Sequence, residues 1–216
     1  MSIKAVIFDL DGTVIDTEKL LVKYWCMAAN EMGFPMVREH ALQLRSLARK
    51  YAEPLLKEWF GENCDYMTVR NRRMELMTAH IIENGLDVKA GIKELLVWLG
   101  ENGYKRAVAT ATDLTRAGKY LNDVGLYDYF DCIISAHQVK NGKPKPDVYL
   151  YAVEQLGLAP DECIAVEDSP NGVISASDAG CRTIMVPDLT LPDEELKKRL
   201  FAVCEKASDI INVLSE

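Results

Sequence analysis

Five short apolar runs punctuate the chain, at residues 3–8, 105–109, 132–135, 163–166 and 182–186. Each is nearly continuous rather than alternating, as a strand must be when both of its faces are buried. Apolar residues at helical spacing fill the stretches 91–100, 114–124, 147–156 and 171–179. Strands alternating with helices of this length imply right-handed crossovers and a doubly wound parallel sheet, an α/β Rossmann-like core.

Residues 17–85 break that rhythm. They hold no strand-like run, while Leu20, Leu21, Trp25, Ala28, Ala29 and Met32 recur at helical spacing, as do Met67, Met74, Met77 and Ile81. The pattern predicts an all-helical cap domain over 17–85, inserted into a core made of 1–16 and 86–216. The junctions, 12–17 on one side and 84–90 on the other, both hold glycine or turn-forming polar residues. The last stretch, 193–214, reads as helical, with an apolar face for packing and a charged face for solvent.

Composition narrows the picture. A chain of 216 residues, 49% hydrophobic and 27% charged, can bury a full core in one large or two unequal domains. Its net charge of −8 disfavours general binding to phosphate backbones, so no nucleic-acid partner is expected. No run approaches a membrane span, and the opening MSIKAVIFDLDG lacks a signal-peptide layout, so a cytoplasmic protein without a membrane partner is expected. The six cysteines show no C-x-x-C spacing and read as reduced core residues. The charge is uneven: 17–85 carries ten basic and nine acidic side chains, and the rest carries fifteen and twenty-four.

Candidate chemistry gathers where strands should end, the edge at which open α/β sheets bind ligands. The first strand runs into Asp9-Leu10-Asp11-Gly12-Thr13. Two carboxylates so placed repel unless a hard cation with oxygen ligands lies between them, although Asp-Gly is also an ordinary turn. The second ends in Ala109-Thr110-Ala111-Thr112, where Thr is as often an N-cap. Further on, Gly142-Lys143-Pro144-Lys145-Pro146-Asp147 reads by itself as a rigid surface loop, with Asp147 capping the next helix. The fourth strand ends in a second acidic pair, Glu167-Asp168-Ser169-Pro170-Asn171-Gly172. Each segment has a bland explanation, but together they are poor candidates for independent accidents.

The set DxDGT, strand-terminal Thr, KPxPD and EDSxxG resembles the haloacid dehalogenase-like hydrolase superfamily, in the phosphatase and beta-phosphoglucomutase branch with a helical cap. The motifs occur in that family's order across nearly the whole chain. The resemblance implies that Asp9 is the nucleophile, forming an aspartyl-phosphate. It implies Mg²⁺ held by the carboxylates of Asp9, Glu167 and Asp168 and by the Asp11 carbonyl. Asp11, Gly12, Thr110, Ala111 and Lys143 would surround the phosphoryl group, and Asp11 would protonate the leaving oxygen and then activate water. Arg49 and Arg72 are candidates for substrate specificity. The cluster Arg70, Arg72 and Arg73 could face an anionic substrate, with solvent the default for each.

The resulting expectation is a Mg²⁺-dependent phosphatase acting on a small phosphorylated metabolite, as a monomer or weak homodimer. A metal-free dehalogenase would not need the acidic cluster. A mutase of the branch shares the whole core and stands as the second reading; it carries a histidine early in the first cap helix, whereas Asp16-Thr17-Glu18-Lys19-Leu20-Leu21 has none. The glycine that usually opens the loop before Arg49 is also missing. A receiver-like signalling module would place its acceptor aspartate on a middle strand and would lack the insertion. His40, His80 and His137 have no metal-ligand spacing, and P-loop, dinucleotide and serine-hydrolase motifs do not occur.

Overall fold

A computed structural model describes residues 2–215. Six strands form one sheet: β1 (Ala5–Phe8), β2 (Lys105–Thr110), β3 (Cys132–Ser135), β4 (Cys163–Glu167), β5 (Arg182–Met185) and β6 (Ala202–Val203). Their order is β3-β2-β1-β4-β5-β6 and every pairing is parallel. The chain builds outward from β1 through β2 to β3, then crosses to the other side of β1 for β4. The strand order therefore reverses at β1, and the crevice above its carboxyl end is the place for a ligand.

Both faces of β1 are covered, which explains its unbroken apolar run. Val6 and Phe8 point into one core with Leu95, Leu96 and Leu99 of α5 (Ile92–Glu101) and Leu121 of α6 (Leu114–Asp123). Ala5 and Ile7 point into the opposite core with Val148, Tyr149 and Ala152 of α7 (Asp147–Leu156) and Ala176 of α8 (Pro170–Asp178). The chain closes with α9 (Glu194–Lys197) and α10 (Ile210–Ser215).

The insertion after β1 is helical: α1 (Glu18–Glu31), α2 (Arg38–Gln43), α3 (Arg49–Phe60) and α4 (Tyr66–Asn84). It has a core of its own, in which Val22, Trp25 and Ala28 meet Leu56 and Val69. Tyr24, Met77 and Ile81 instead join Val14 and Ile15 in the main core, so α1 and α4 root the insertion on the sheet. Among the described residues, no helix is long and apolar enough to cross a membrane.

Two expectations need correction. The stretch 193–214 is not one helical run, because β6 lies within it, adding Ala202 and Val203 to the open edge of β5 beside Ile184 and Met185. A charged helical pattern cannot distinguish so short an edge strand from helix, since its pairing is set by β5. Asp147 is not the cap of α7 either. Pro146 occupies that position, and Asp147 sits in the first turn with its Oδ2 accepting from Asn141 Nδ2 at 3.2 Å.

At Gly12 and Gly172 close approach leaves no room for a side chain. A Cβ on Gly172 would overlap the Glu167 carboxylate, and one on Gly12 (φ +87°) would overlap Asp168 and Glu18. The helical Gly118 has only Tyr127 at 3.5 Å from such a position. We expect Gly172→Ala to lower stability by about 1–3 kcal/mol or more, as overpacking does. Gly118→Ala should be neutral or stabilising, because alanine favours helix. Urea midpoints of the two variants test this, and equal midpoints would contradict it.

Candidate active site

Parallel pairing carries the carboxyl ends of β1, β2 and β4 to one edge, and their polar termini meet there. Asp9 directly follows β1, its N–H donating to the Val166 carbonyl at 2.9 Å, so it is held as a continuation of the strand. Leu10 is fully buried and anchors the turn between Asp9 and Asp11. From the loop between β3 and α7, Lys143 enters this space completely buried, after which a cis peptide joins it to Pro144. Its Nζ lies 2.5 Å from Asp9 Oδ1 and 2.6 Å from Glu167 Oε1. The Tyr149 hydroxyl donates to the same Glu167 oxygen at 2.6 Å. The bland view of Lys143 as a solvated loop lysine is therefore overturned.

Asp11 is aimed by two hydroxyls. Thr17 Oγ1 donates to one of its carboxylate oxygens at 2.6 Å and Thr112 Oγ1 to the other at 2.7 Å. Thr110 is buried at the end of β2 and its Oγ1 accepts from the Thr112 N–H at 3.0 Å. Asp168 takes its partner from the insertion: Arg45 donates to its carboxylate and carbonyl, to Glu18 Oε2 at 3.0 Å and to Thr190 Oγ1 at 3.0 Å. Arg45, Glu18 and Asp168 are all buried.

The cluster holds more negative charge than its cations balance. Burial pushes the Asp9 carboxyl well above the usual range, and Glu167, Asp168 and Asp11 add to that against the pull of Lys143. Burial likewise drives Asp168 up to about 7 despite Arg45, and Glu18 well above its ordinary value. Lys143 is held firmly charged, as Asp9 and Glu167 outweigh its own burial.

These residues fit a hard divalent cation. Asp9, Glu167 and Asp168 each offer a carboxylate oxygen within 4.8 Å of the others, an all-oxygen donor set of the kind Mg²⁺ prefers. Among the described residues Asp9 Oδ2 is buried without a hydrogen-bond partner, a cost that an incoming positive or electrophilic group removes.

A cavity of about 430 Å³ opens from Asp9 and Asp11 towards the insertion. Ala111 and Arg49 line it, and Gly12 packs beside the Asp168 carboxylate. Arg49 also pairs with Glu53 at 3.1 Å and is 57% exposed. Arg72 lies elsewhere: it pairs with Glu31 at 2.6 Å and Glu75 at 3.0 Å and is absent from the cavity wall. The wall takes Arg70 and Arg73 from that cluster instead. The sequence reading missed Thr17, Glu18, Arg45, Thr112 and Tyr149. Thr112 had a signal in its spacing from Thr110, whereas Arg45 had none. Ser46 accounts for the missing glycine by adopting the left-handed conformation itself, with φ +53°.

The sequence profile of the family described as haloacid dehalogenase-like hydrolase matches residues 6–186, and the chain belongs to that family. It falls in the branch that holds phosphatases and beta-phosphoglucomutases. It is 31% identical to the phosphorylated carbohydrates phosphatase of Thermotoga maritima, with 99% of each chain aligned. It is 33% identical to hexitol phosphatase A of Escherichia coli over 86% of this chain and 84% of that one. The crystal structure of beta-phosphoglucomutase from Clostridium difficile superposes with a TM-score of 0.81 at 26% identity, covering 96% of this chain and 93% of that one.

Arg45 ties the insertion to the acidic cluster, so its loss should be felt in stability. In metal-free buffer we expect Arg45→Met to cost about 3–5 kcal/mol, since it strands buried carboxylates. The double variant Arg45→Met with Glu18→Gln should recover a measurable part of that loss. A double-mutant cycle in urea gives the coupling, and strict additivity would contradict the contact.

Proposed function

We propose that the protein is a Mg²⁺-dependent phosphatase that hydrolyses a small phosphomonoester, foremost a sugar phosphate, through a phosphorylated Asp9. The observation that carries this reading is the asymmetry of Asp9. Lys143 engages one carboxylate oxygen, while the other is buried and has no hydrogen-bond partner among the described residues. The names of the aligned relatives support the substrate class.

In the first step Asp9 Oδ2 bonds to phosphorus as the bond from phosphorus to the leaving oxygen breaks. Asp11 gives its proton to that oxygen, so the product departs as an alcohol. In the second step Asp11, now ionised, takes a proton from water, whose oxygen bonds to phosphorus as the bond to Asp9 breaks. Inorganic phosphate leaves, with Asp9 ionised and Asp11 protonated again. Thr17 and Thr112 orient Asp11 for both transfers. Lys143, Thr110 and the Ala111 N–H offset charge on the phosphoryl oxygens. The carboxylates of Asp9, Glu167 and Asp168 and the Asp11 carbonyl would hold Mg²⁺, which supplies positive charge where an anionic carboxylate meets an anionic phosphate.

The division we propose is a core of 1–16 and 86–216 and a cap of 17–85 that excludes water during transfer. The protein would act on free metabolites, as a monomer or weak homodimer. Phosphatase is preferred to mutase because Leu20 and Leu21 stand in the segment where the mutase branch carries its histidine.

A panel of phosphorylated metabolites with Mg²⁺, assayed together for released phosphate and for isomerised sugar phosphate, tests the reading. Phosphate release abolished by EDTA and by Asp9→Asn is expected. Isomerised product without net phosphate release would replace phosphatase by mutase. Asp11→Asn keeps the size of the side chain but cannot exchange the proton, so kcat should fall by about 10²–10⁴-fold. A near-normal rate in that variant would remove Asp11 from the role.

A further inference from the structure

Arg73 is a buried cation with no salt-bridge partner among the described residues. It lies in α4, is 8% exposed, and lines the same cavity as Asp9. Its Nε is buried with no hydrogen-bond partner. Its one polar contact runs from Nη1 to the thioether of Met77 at 3.9 Å, a weak acceptor. The guanidinium stands 5.0 Å from the centre of the Trp25 ring, a cation–π contact that offsets part of its charge but supplies no oxygen acceptor. By contrast, Arg45, Arg49, Arg72 and Arg116 each face a carboxylate.

The surroundings add cations rather than remove them. Burial first, then Arg116 and Arg70 against the smaller pulls of Tyr66 and Asp11, bring the Arg73 pKa down to about 10, so it remains charged at neutral pH with two cations beside it. Arg70 and Arg116 line the cavity as well. Arg116 has Asp113 at 2.7 Å, and no carboxylate pairs with Arg70 among the described residues. A buried, unpaired guanidinium is costly to keep. The planar fork of arginine matches a carboxylate or phosphate with paired hydrogen bonds. In a cavity of about 430 Å³, the natural source of such an oxyanion is a bound small molecule.

We propose that Arg73, with Arg70 and Arg116 beside it, forms a second anion subsite that selects substrates bearing a carboxylate or a second phosphate besides the phosphate that is cleaved. The inference rests on the phosphatase reading for the first phosphate, and it sharpens the substrate class from phosphomonoesters to doubly anionic ones. Arg73 acts by binding the end of the substrate that does not react, so it belongs to specificity and not to the transfer.

Three substrates of similar size separate the possibilities: a hexitol monophosphate, the corresponding sugar-acid phosphate and a hexose bisphosphate. The protein should prefer at least one doubly anionic substrate in kcat/KM by about tenfold or more. The sugar-acid arm reports a carboxylate subsite and the bisphosphate arm a phosphate subsite. Arg73→Met should reduce that preference by about tenfold or more, chiefly through KM, with partial rescue in Arg73→Lys. Arg70→Gln, at a half-buried position, should reduce it in the same direction and covers the case in which Arg73→Met does not fold. No preference in the parent protein, or equal losses for all three substrates in the variants, would overturn the subsite. Binding of the same molecules to Asp9→Asn, followed by thermal shift, separates this inference from the phosphatase reading. Discrimination in binding without any turnover in the parent would sustain the subsite and sink the phosphatase. Turnover without discrimination would do the reverse.

Discussion

Crowding of buried carboxylates at one sheet edge is the constraint on which the rest depends. Asp9, Asp11, Glu18, Glu167 and Asp168 are all buried there, and the side-chain cations engaging them are Lys143 and Arg45. Each cation arrives from a different place. Lys143 comes from a loop of the core and Arg45 from the insertion, so the charge balance of the site also joins the two parts of the chain. Further contacts reinforce the junction: the Ala48 N–H donates to the Lys143 carbonyl at 2.9 Å, and Asn171 Nδ2 donates to the Arg45 carbonyl at 2.9 Å. The glycines at 12 and 172 follow from the same crowding, since there is no room for a side chain against Asp168 or Glu167.

The acidic excess leaves Asp9 with one oxygen engaged and one open, in surroundings that favour the approach of positive charge. A divalent cation relieves that excess, and it would draw on the Asp168 carboxylate that also holds Arg45. Beyond the cluster the charge changes sign, because Arg49, Arg70, Arg73 and Arg116 line the cavity. A small molecule with anionic groups at both ends suits a space that is acidic beside the sheet and basic towards the insertion.

Much of this was legible in the sequence because one physical cause wrote it there. Burial of both sheet faces leaves continuous apolar runs, and these located β1 to β5 to within a residue or two. The functional edge follows from strand ends, so Asp9, Thr110 and Glu167 could be read from the pattern. Lys143 could not be read that way. Its loop is indistinguishable from a solvated one until the family motif is invoked, because its burial is decided by the distant Asp9 and Glu167. Tertiary partners also decided the arginines. Arg72 and Arg73 are adjacent, yet a helical turn of roughly 100° per residue sends one to Glu31 and the other into the cavity. Ser46 and β6 were hidden for the same reason, since neither a left-handed serine nor a two-residue edge strand has a local signature.

The central claim is that Asp9 itself carries the phosphoryl group. The most direct measurement is to quench the Mg²⁺-loaded protein with acid during turnover of its best substrate, reduce it with borohydride and sequence the peptides by mass spectrometry. A phosphorylated Asp9 is an acyl phosphate, and reduction converts it to homoserine. The account expects homoserine at position 9, present only with substrate, while Asp11, Glu167 and Asp168 remain intact. Steady phosphate release with an unmodified Asp9 at every quench time, or modification at Asp11 instead, would contradict it.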